Sequence, residues 1–197
     1  MTGPLIIDLQ SDHYFMGEAL RQAIRAYDLE EVPVGAVVVR EGTIIARACN
    51  QVELLQDATA HAEMLALTQA EEAVGGWRLN NCTLYVTKEP CPMCAGAMLH
   101  TRIQRLVFGL RDPKGGAAGG ALNLLQFGGL NHRAEITAGL REDECRRLLQ
   151  TFFAGQRAKS KKSQMESQRK MKKFHHSRRP QKQKSGSDTT AHRKQES

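Results

Sequence analysis

Apolar residues recur along the first three quarters of the chain with two periods, one typical of helices and one typical of strands. From Ser11 to Asp28 they recur at helical spacing, and Ser11 or Asp12 is suited to cap this helix. β-branched runs follow at Val34–Val39 and Thr43–Ala48, separated by the short polar segment Arg40-Glu41-Gly42. This order predicts one helix followed by a β-hairpin.

The remaining pattern predicts three more helices and three more strands. The helices are predicted at Ala60–Val74, Pro92–Thr101 and Arg141–Phe153, and the strands at Thr83–Thr87, Arg105–Gly109 and His132–Thr137. Asp57 or Thr59 precedes the first of these helices as a candidate cap, and Gly115–Gly120 is predicted to be a flexible loop. Because strands alternate with helices, the sequence predicts an α/β fold in which helices cover both faces of a sheet.

Charge divides the chain into two parts. Residues 157–197 hold 14 Lys/Arg and three Asp/Glu, a net charge of +11; since the whole chain carries +7, residues 1–156 carry −4. The tail has few apolar residues to offset its ordering entropy, so we expect a globular domain at 1–156 and a basic, disordered tail at 157–197. The tail either only aids solubility or binds a polyanion, and composition does not choose among RNA, DNA and an anionic membrane.

Several classes of protein are excluded by simple counts. The longest apolar runs, such as Val34–Val39, are far shorter than the roughly 18 residues of a membrane span, so we expect no membrane association through a span. Acidic residues occur from Asp8 onward, which is unlike a secretory leader and predicts a cytoplasmic protein. Five cysteines in a reducing compartment favour metal ligands or free thiols, and Cys49, Cys82 and Cys145 lack chelating spacing and are expected to be buried thiols.

Two short motifs carry the candidate chemistry. His61-Ala62-Glu63 is followed, after 26 residues, by Pro90-Cys91-Pro92-Met93-Cys94. Thiols three residues apart share a helix face and suit Zn²⁺, and a helix start favours the thiolate. His61 is a candidate third ligand. Taken alone, the two cysteines would also fit a redox or structural pair, and the histidine would also fit an ordinary packed side chain.

The motifs together favour a catalytic metal over a structural one. A structural zinc site uses four protein ligands, whereas a catalytic site keeps one position for water. His13, His100 and His132 have no motif partner that would make them a fourth ligand. Glu63 is a poor ligand but is well placed to move protons beside a metal-activated water. The sequence therefore predicts zinc-assisted hydrolysis.

These motifs resemble the signature of the zinc nucleobase deaminases. Further segments are similar to the bacterial tRNA-specific adenosine deaminases, namely Glu31–Ala36, Asp57–Glu63, Glu89–Met98, Phe108-Gly109 and Asn131–Arg133. The resemblance covers roughly residues 11–155, so it implies nothing about the tail.

The resemblance implies a cytidine-deaminase-like three-layer sandwich, with a five-stranded mixed sheet between helices, assembled as a homodimer. It implies hydrolysis of adenosine to inosine at the wobble position of a tRNA anticodon stem-loop, with an arginine tRNA as the expected substrate. One Zn²⁺ per subunit would be held by His61, Cys91 and Cys94, with Glu63 as proton shuttle. Asn50 matches a residue that contacts the flipped nucleoside, although an asparagine there also fits a simple turn at a strand end.

Two other functions remain open from the sequence alone. A deaminase of free bases or nucleotides, such as guanine or cytosine derivatives, would share the zinc motif. A noncatalytic, zinc-stabilised RNA-binding module would not need Glu63 beside an open metal position. Aromatic residues make up 5% of the chain, which is sparse for a base-stacking platform and disfavours the second alternative.

Overall fold

The computed structural model describes residues 8–177 and the side-chain surroundings of residues 8–169. The helices are α1 (Asp12–Asp28), α2 (Val52–Leu55), α3 (Ala62–Val74), α4 (Pro92–Thr101) and α5 (Glu142–Ser177). The strands are β1 (Gly35–Arg40), β2 (Thr43–Cys49), β3 (Cys82–Lys88), β4 (Arg105–Leu110) and β5 (Glu135–Ala138). The chain divides into two units after Gly155.

The five strands form one mixed sheet in the order β2-β1-β3-β4-β5. β1 pairs antiparallel with β2 and β3, whereas β3–β4 and β4–β5 are parallel. The β1–β2 hairpin turns through Glu41 and Gly42, whose φ angles of 50° and 74° suit a tight two-residue turn. The parallel β3–β4 pair needs a crossover, and α4 supplies it.

The side chains of β1 alternate between two apolar cores. Ala36 and Val38 pack in a core with residues of α3 and α4, whereas Val37 and Val39 pack with Phe15 and other residues of α1. The sheet is therefore covered by helices on both faces. This confirms the predicted cytidine-deaminase-like three-layer sandwich with a five-stranded mixed sheet.

Helix α5 is longer than the sequence pattern predicted. The predicted end was Phe153, but the helix continues to Ser177. Residues 156–177 contain no Gly or Pro and are rich in Lys, Arg, Gln and Met, which favour helix even without a buried face. The first part of the tail, for which we predicted disorder, is thus helical, and side chains 157–169 are all exposed. Residues 178–197 of the predicted tail lie outside the described residues.

Smaller differences occur at elements that are too short for the spacing of apolar residues to define them. The four residues of α2 were not predicted, because one helical turn shows no periodicity. β5 was predicted at His132–Thr137 and lies at Glu135–Ala138. Ser11 caps α1 as predicted, since its Oγ accepts a hydrogen bond from the Tyr14 amide at 3.2 Å.

Across residues 8–177, the structure contains no helix with the length and apolar character that a membrane crossing requires.

Candidate active site

His61 lies immediately before α3, at its N-cap position. Asp57 and Thr59, the predicted caps, instead form a turn in which Asp57 Oδ1 accepts from the Thr59 amide at 2.8 Å and the Thr59 hydroxyl at 2.7 Å. The backbone of His61 is extended, and its side chain makes no capping bond to the helix. The imidazole is therefore available for contacts outside α3.

The two motif cysteines lie at the start of α4, where they meet His61. Cys91 is the N-cap of α4, Pro92 is its first residue, and Cys94 is buried in the first turn. The two sulphurs are 3.6 Å apart, and His61 Nδ1 lies 3.7 Å from Cys91 Sγ and 3.5 Å from Cys94 Sγ. The fold thus brings together three potential metal ligands from two helix starts.

The spacing of these three atoms fits a tetrahedral zinc ion. Zinc bonds of about 2.3 Å to sulphur and about 2.05 Å to nitrogen, at tetrahedral angles, place two sulphurs about 3.8 Å apart and a nitrogen about 3.6 Å from each sulphur. The separations in the structure, 3.5–3.7 Å, agree within a few tenths of an ångström. Among the described residues this group has three candidate ligand atoms, which would leave the fourth tetrahedral position open, as in catalytic sites.

The pKa shifts of Cys91 and Cys94 show why a cation suits the two sulphurs. Hydrogen bonds with Cys94 and His61 lower the pKa of the Cys91 thiol to about 3, whereas the contact with Cys91 and burial raise the pKa of Cys94. The thiolate form is therefore favoured at Cys91 and disfavoured at Cys94. A divalent ion among the three ligands would make both thiolates favourable.

Glu63 lies in the first turn of α3, two residues after His61, and its side chain is buried. Burial raises the pKa of its carboxyl group, and the nearby charges of His61 and Cys91 also act on it. A carboxyl group whose pKa is raised by burial holds a proton more readily than an exposed one, which suits it to accept and return a proton. Its position beside the three ligands is therefore suited to acid–base chemistry.

One cavity of about 370 Å³ connects these groups. His61, Glu63, Cys91 and Asn50 all line it, while Cys94 is fully buried beside Cys91. Its apolar lining comes from Val32, Val34, Val52, Leu149 and Phe153. A concave, largely apolar site with a few convergent polar groups is typical of small-molecule or nucleobase recognition.

Comparisons with known proteins agree with this geometry. A family model described as MafB19-like deaminase matches residues 10–157. The chain is 50% identical to the tRNA-specific adenosine deaminase of Bacillus subtilis over 153 residues, which cover 78% of this chain and 95% of that protein. The chain belongs to the tRNA-specific adenosine deaminase family. It is therefore an enzyme of the hydrolytic deaminase class.

Solved structures place this deaminase among enzymes with the same fold. A structure from work on A-to-I editing by tRNA:A34 deaminases is 43% identical, with a TM-score of 0.67 over 69% of this chain and 99% of that one. A guanine deaminase from Nitrosomonas europaea is 25% identical, with a TM-score of 0.64 over 78% of this chain and 94% of that one. The fold is thus shared by deaminases of different substrates.

The structure shows how Asn50 is held in the cavity. Asn50 directly follows β2 and is buried, and its side-chain amide donates to Glu31 Oε2 at 3.0 Å. Glu31, also buried, accepts a second bond from the Leu54 amide at 2.7 Å. Sequence reasoning missed this role of Glu31, because its two partners lie 19 and 23 residues away. Its place in the motif Glu31–Ala36 was the only signal.

Lys88 and Glu89 also line the cavity, and neither was predicted as a site residue. They are the residues just before Pro90 and Cys91, at the end of β3. Lys88 forms an ion pair with Asp112. The remaining cysteines behave as predicted: Cys49, Cys82 and Cys145 are buried free thiols.

Proposed function

We propose that this deaminase hydrolyses adenosine to inosine at the wobble position of tRNA anticodons, with an arginine tRNA as the principal substrate. The observation that carries the proposal is one cavity containing His61 and Cys91, with Cys94 beside them, and a buried carboxylate at Glu63. The named activity of relatives that are 40–50% identical to this chain supports the choice of substrate. The overall reaction consumes one water and releases ammonia.

We propose that His61, Cys91 and Cys94 hold one Zn²⁺ per subunit. The separations of Nδ1 and the two sulphurs fit this ion. When bound, zinc supplies Lewis acidity that brings the pKa of a coordinated water down to about 7.

Glu63 provides the proton transfers of the reaction. Its carboxylate would accept a proton from the attacking water and deliver it to the N1 atom of the adenine ring. Once the water oxygen has bonded to C6, the carboxylate would take the second proton from that new hydroxyl group and deliver it to the amino group. The C6–N bond then breaks, ammonia leaves, and the C6 carbonyl of inosine forms. Because Glu63 is buried, it is shielded from exchange with bulk water between these transfers.

Asn50 is suited to bind the target nucleoside. Its amide nitrogen already donates to Glu31, so the orientation of the side chain in the cavity is set before a ligand enters. An anticodon loop is single-stranded, so its adenosine leaves the stack at low cost and can enter the cavity. Replacing Asn50 with Ala should therefore raise KM more than it lowers kcat. A reduced kcat with an unchanged KM would contradict a binding role.

We propose that residues 157–197 act as an arm that collects tRNA through its phosphates. The tail carries +11 while residues 1–156 carry −4, so the arm provides the electrostatic attraction that the domain lacks. The described part of the arm exposes Arg157, Lys161, Lys162 and Arg169 along a helix. Phosphate contacts of this kind add affinity without reading bases.

We also propose that the enzyme is a homodimer in the cytoplasm. Trp77, Phe127 and Leu130 expose 51%, 60% and 40% of their surface, and Trp77 and Leu130 line one surface cavity of about 380 Å³. An apolar patch of this kind marks an association surface. Light scattering of the purified chain should give the mass of two subunits, and replacing Phe127 and Leu130 with Asp should give one; a monomeric wild-type chain would contradict the proposal.

The experiment that tests the proposed function uses synthetic anticodon stem-loops. The zinc-loaded enzyme should form inosine in a loop with adenosine at the first anticodon position, and none when guanosine or cytidine occupies it. Free guanine is the matched control, because the fold is shared with a guanine deaminase. Deamination of free guanine with no reaction on the RNA would establish the other activity and overturn the proposal.

A further inference from the structure

The buried carboxylate of Glu89 holds a loop that follows β4. We refer to residues 111–120 as the β4 loop. Glu89 Oε2 accepts a hydrogen bond from the Asp112 amide at 2.8 Å, and Oε1 accepts from the amides of Ala118 at 3.0 Å and Gly120 at 2.7 Å. Only 2% of Glu89 is exposed, so these three donors replace the water that an exposed carboxyl group would bind.

Two glycines of the β4 loop are required by this contact. A Cβ atom on Gly116 would lie 2.2 Å from the Glu89 carboxyl carbon and 2.5 Å from each carboxyl oxygen. On Gly120 it would lie 2.6 Å from Glu89 Oε2 and 2.2 Å from the Asp112 carbonyl oxygen. The glycines therefore let the loop backbone approach the carboxylate closely, and the expectation that Gly115–Gly120 is simply a flexible loop misses this attachment.

The contact couples the β4 loop to the active-site cavity. Glu89 lies two residues before Cys91, and the Pro90 carbonyl accepts a bond from the Ala117 amide at 2.8 Å. Lys88 lines the cavity and pairs with Asp112 of the loop. The loop is thus fixed to the strand end that carries the cavity wall, through bonds on both sides of Glu89.

We propose that Glu89 is a positioning residue for tRNA binding: it sets the β4 loop, and with it the Asp112–Lys88 pair, at the edge of the active-site cavity. The loop exposes the cationic side chains of Arg111 and Lys114 in a domain of net negative charge, which is the chemistry that contacts an RNA backbone. Glu89 acts on substrate binding and not on the chemical step. This inference rests on the proposed function.

A double-mutant cycle between Glu89 and Gly116 tests the contact itself. Gly116→Ala should destabilise the enzyme strongly in the natural chain, because the added methyl group overlaps the Glu89 carboxylate. In a Glu89→Ala background the overlap is gone, so the same substitution should shift the melting temperature much less. Gly76→Ala is the matched control, since no atom lies within 4 Å of its added Cβ. Equal shifts of the melting temperature in both backgrounds would show that Gly116 and Glu89 are not in contact.

The positioning role is tested with Glu89→Gln, which keeps the size of the side chain but turns an N–H group toward the loop amides. Zinc content should stay stoichiometric, kcat should change less than about threefold, and KM for tRNA should rise about tenfold. Amide hydrogen exchange at Asp112, Ala118 and Gly120 should become faster by about tenfold or more. A lower melting temperature with unchanged KM would show a purely structural role and contradict the proposal.

Two other outcomes would also overturn the positioning role of Glu89. A fall in kcat at constant KM would place Glu89 in the chemical step, and loss of zinc would show that it acts through Cys91. The exchange measurement and the double-mutant cycle do not depend on activity. If the natural enzyme forms no inosine, the proposed function fails while these two measurements still test the attachment of the loop.

Discussion

Replacing Glu63 with Gln removes a titratable group from the cavity while keeping its shape. The side chain is 4% exposed, so a smaller residue would leave a void, whereas Gln occupies the same volume. Burial disfavours the ionised carboxylate, as the raised pKa of Glu63 shows, and Gln carries no such penalty. We therefore expect the variant to fold with a melting temperature equal to that of the natural enzyme or slightly above it.

The expected effect on the reaction is large. General acid–base groups contribute about 10²–10⁴ in rate, which corresponds to about 3–5 kcal/mol of transition-state stabilisation. Because Glu63 is proposed to serve two proton transfers, the loss should lie toward the upper end of this range. Zinc content should not change, since the three proposed ligand atoms belong to His61, Cys91 and Cys94.

The assay is single-turnover inosine formation on an anticodon stem-loop, together with the Kd of the same RNA and metal analysis of each sample. Glu72→Gln is the matched control, because Glu72 lies on the same helix but is exposed. It should change the rate less than about twofold, as expected for a surface substitution. A loss of less than about tenfold for Glu63→Gln, or a loss that parallels the loss of zinc, would refute the proton-transfer role.

Three further predictions follow from the site, the tail and the fold. Cys91→Ser should lose both zinc and activity while Cys82→Ala keeps the metal, and stoichiometric zinc in the serine variant would contradict the ligand assignment. Deleting residues 157–197 should raise KM for tRNA and flatten its dependence on salt, whereas an unchanged salt slope would leave the tail as a solubility segment. Arg105 holds the pKa of Asp12 below its usual value, so Asp12→Asn should cost about 1 kcal/mol of unfolding free energy near pH 7. This difference should be fully present above the usual aspartate pKa of about 4 and should shrink as the pH falls below it, because the lowered pKa of Asp12 is then crossed; a pH-independent difference would contradict the prediction.

The candidate ligands could be predicted because their signals are local in the chain. Cys91 and Cys94 are one helical turn apart, and His61 is two residues from Glu63, so both motifs are visible without the fold. The sheet and its covering helices were also predictable, because the continuous apolar run of β1 is typical of a strand that is buried on both faces. What the sequence did not show is the distance of 3.5–3.7 Å that joins the two motifs.

The supporting carboxylates could not be predicted, because their partners are distant in the chain. Glu31 holds Asn50, and Glu89 binds amides 23 to 31 residues later. Neither partner set has a spacing that marks it in sequence. The predicted cap of α3 was wrong for a different reason. Asp57 and Thr59 have side chains that can cap a helix, but they hydrogen-bond each other, and His61 lies at the cap position.

Position-resolved mapping of inosine in a total tRNA mixture treated with the zinc-loaded enzyme distinguishes wobble deamination from every alternative activity. We expect inosine at the first anticodon position, in an arginine tRNA foremost, and no new inosine elsewhere. The Glu63→Gln enzyme, with zinc and RNA binding intact, should leave the same tRNAs unmodified. Inosine at other positions, or none from an enzyme that carries its full zinc, would contradict the account.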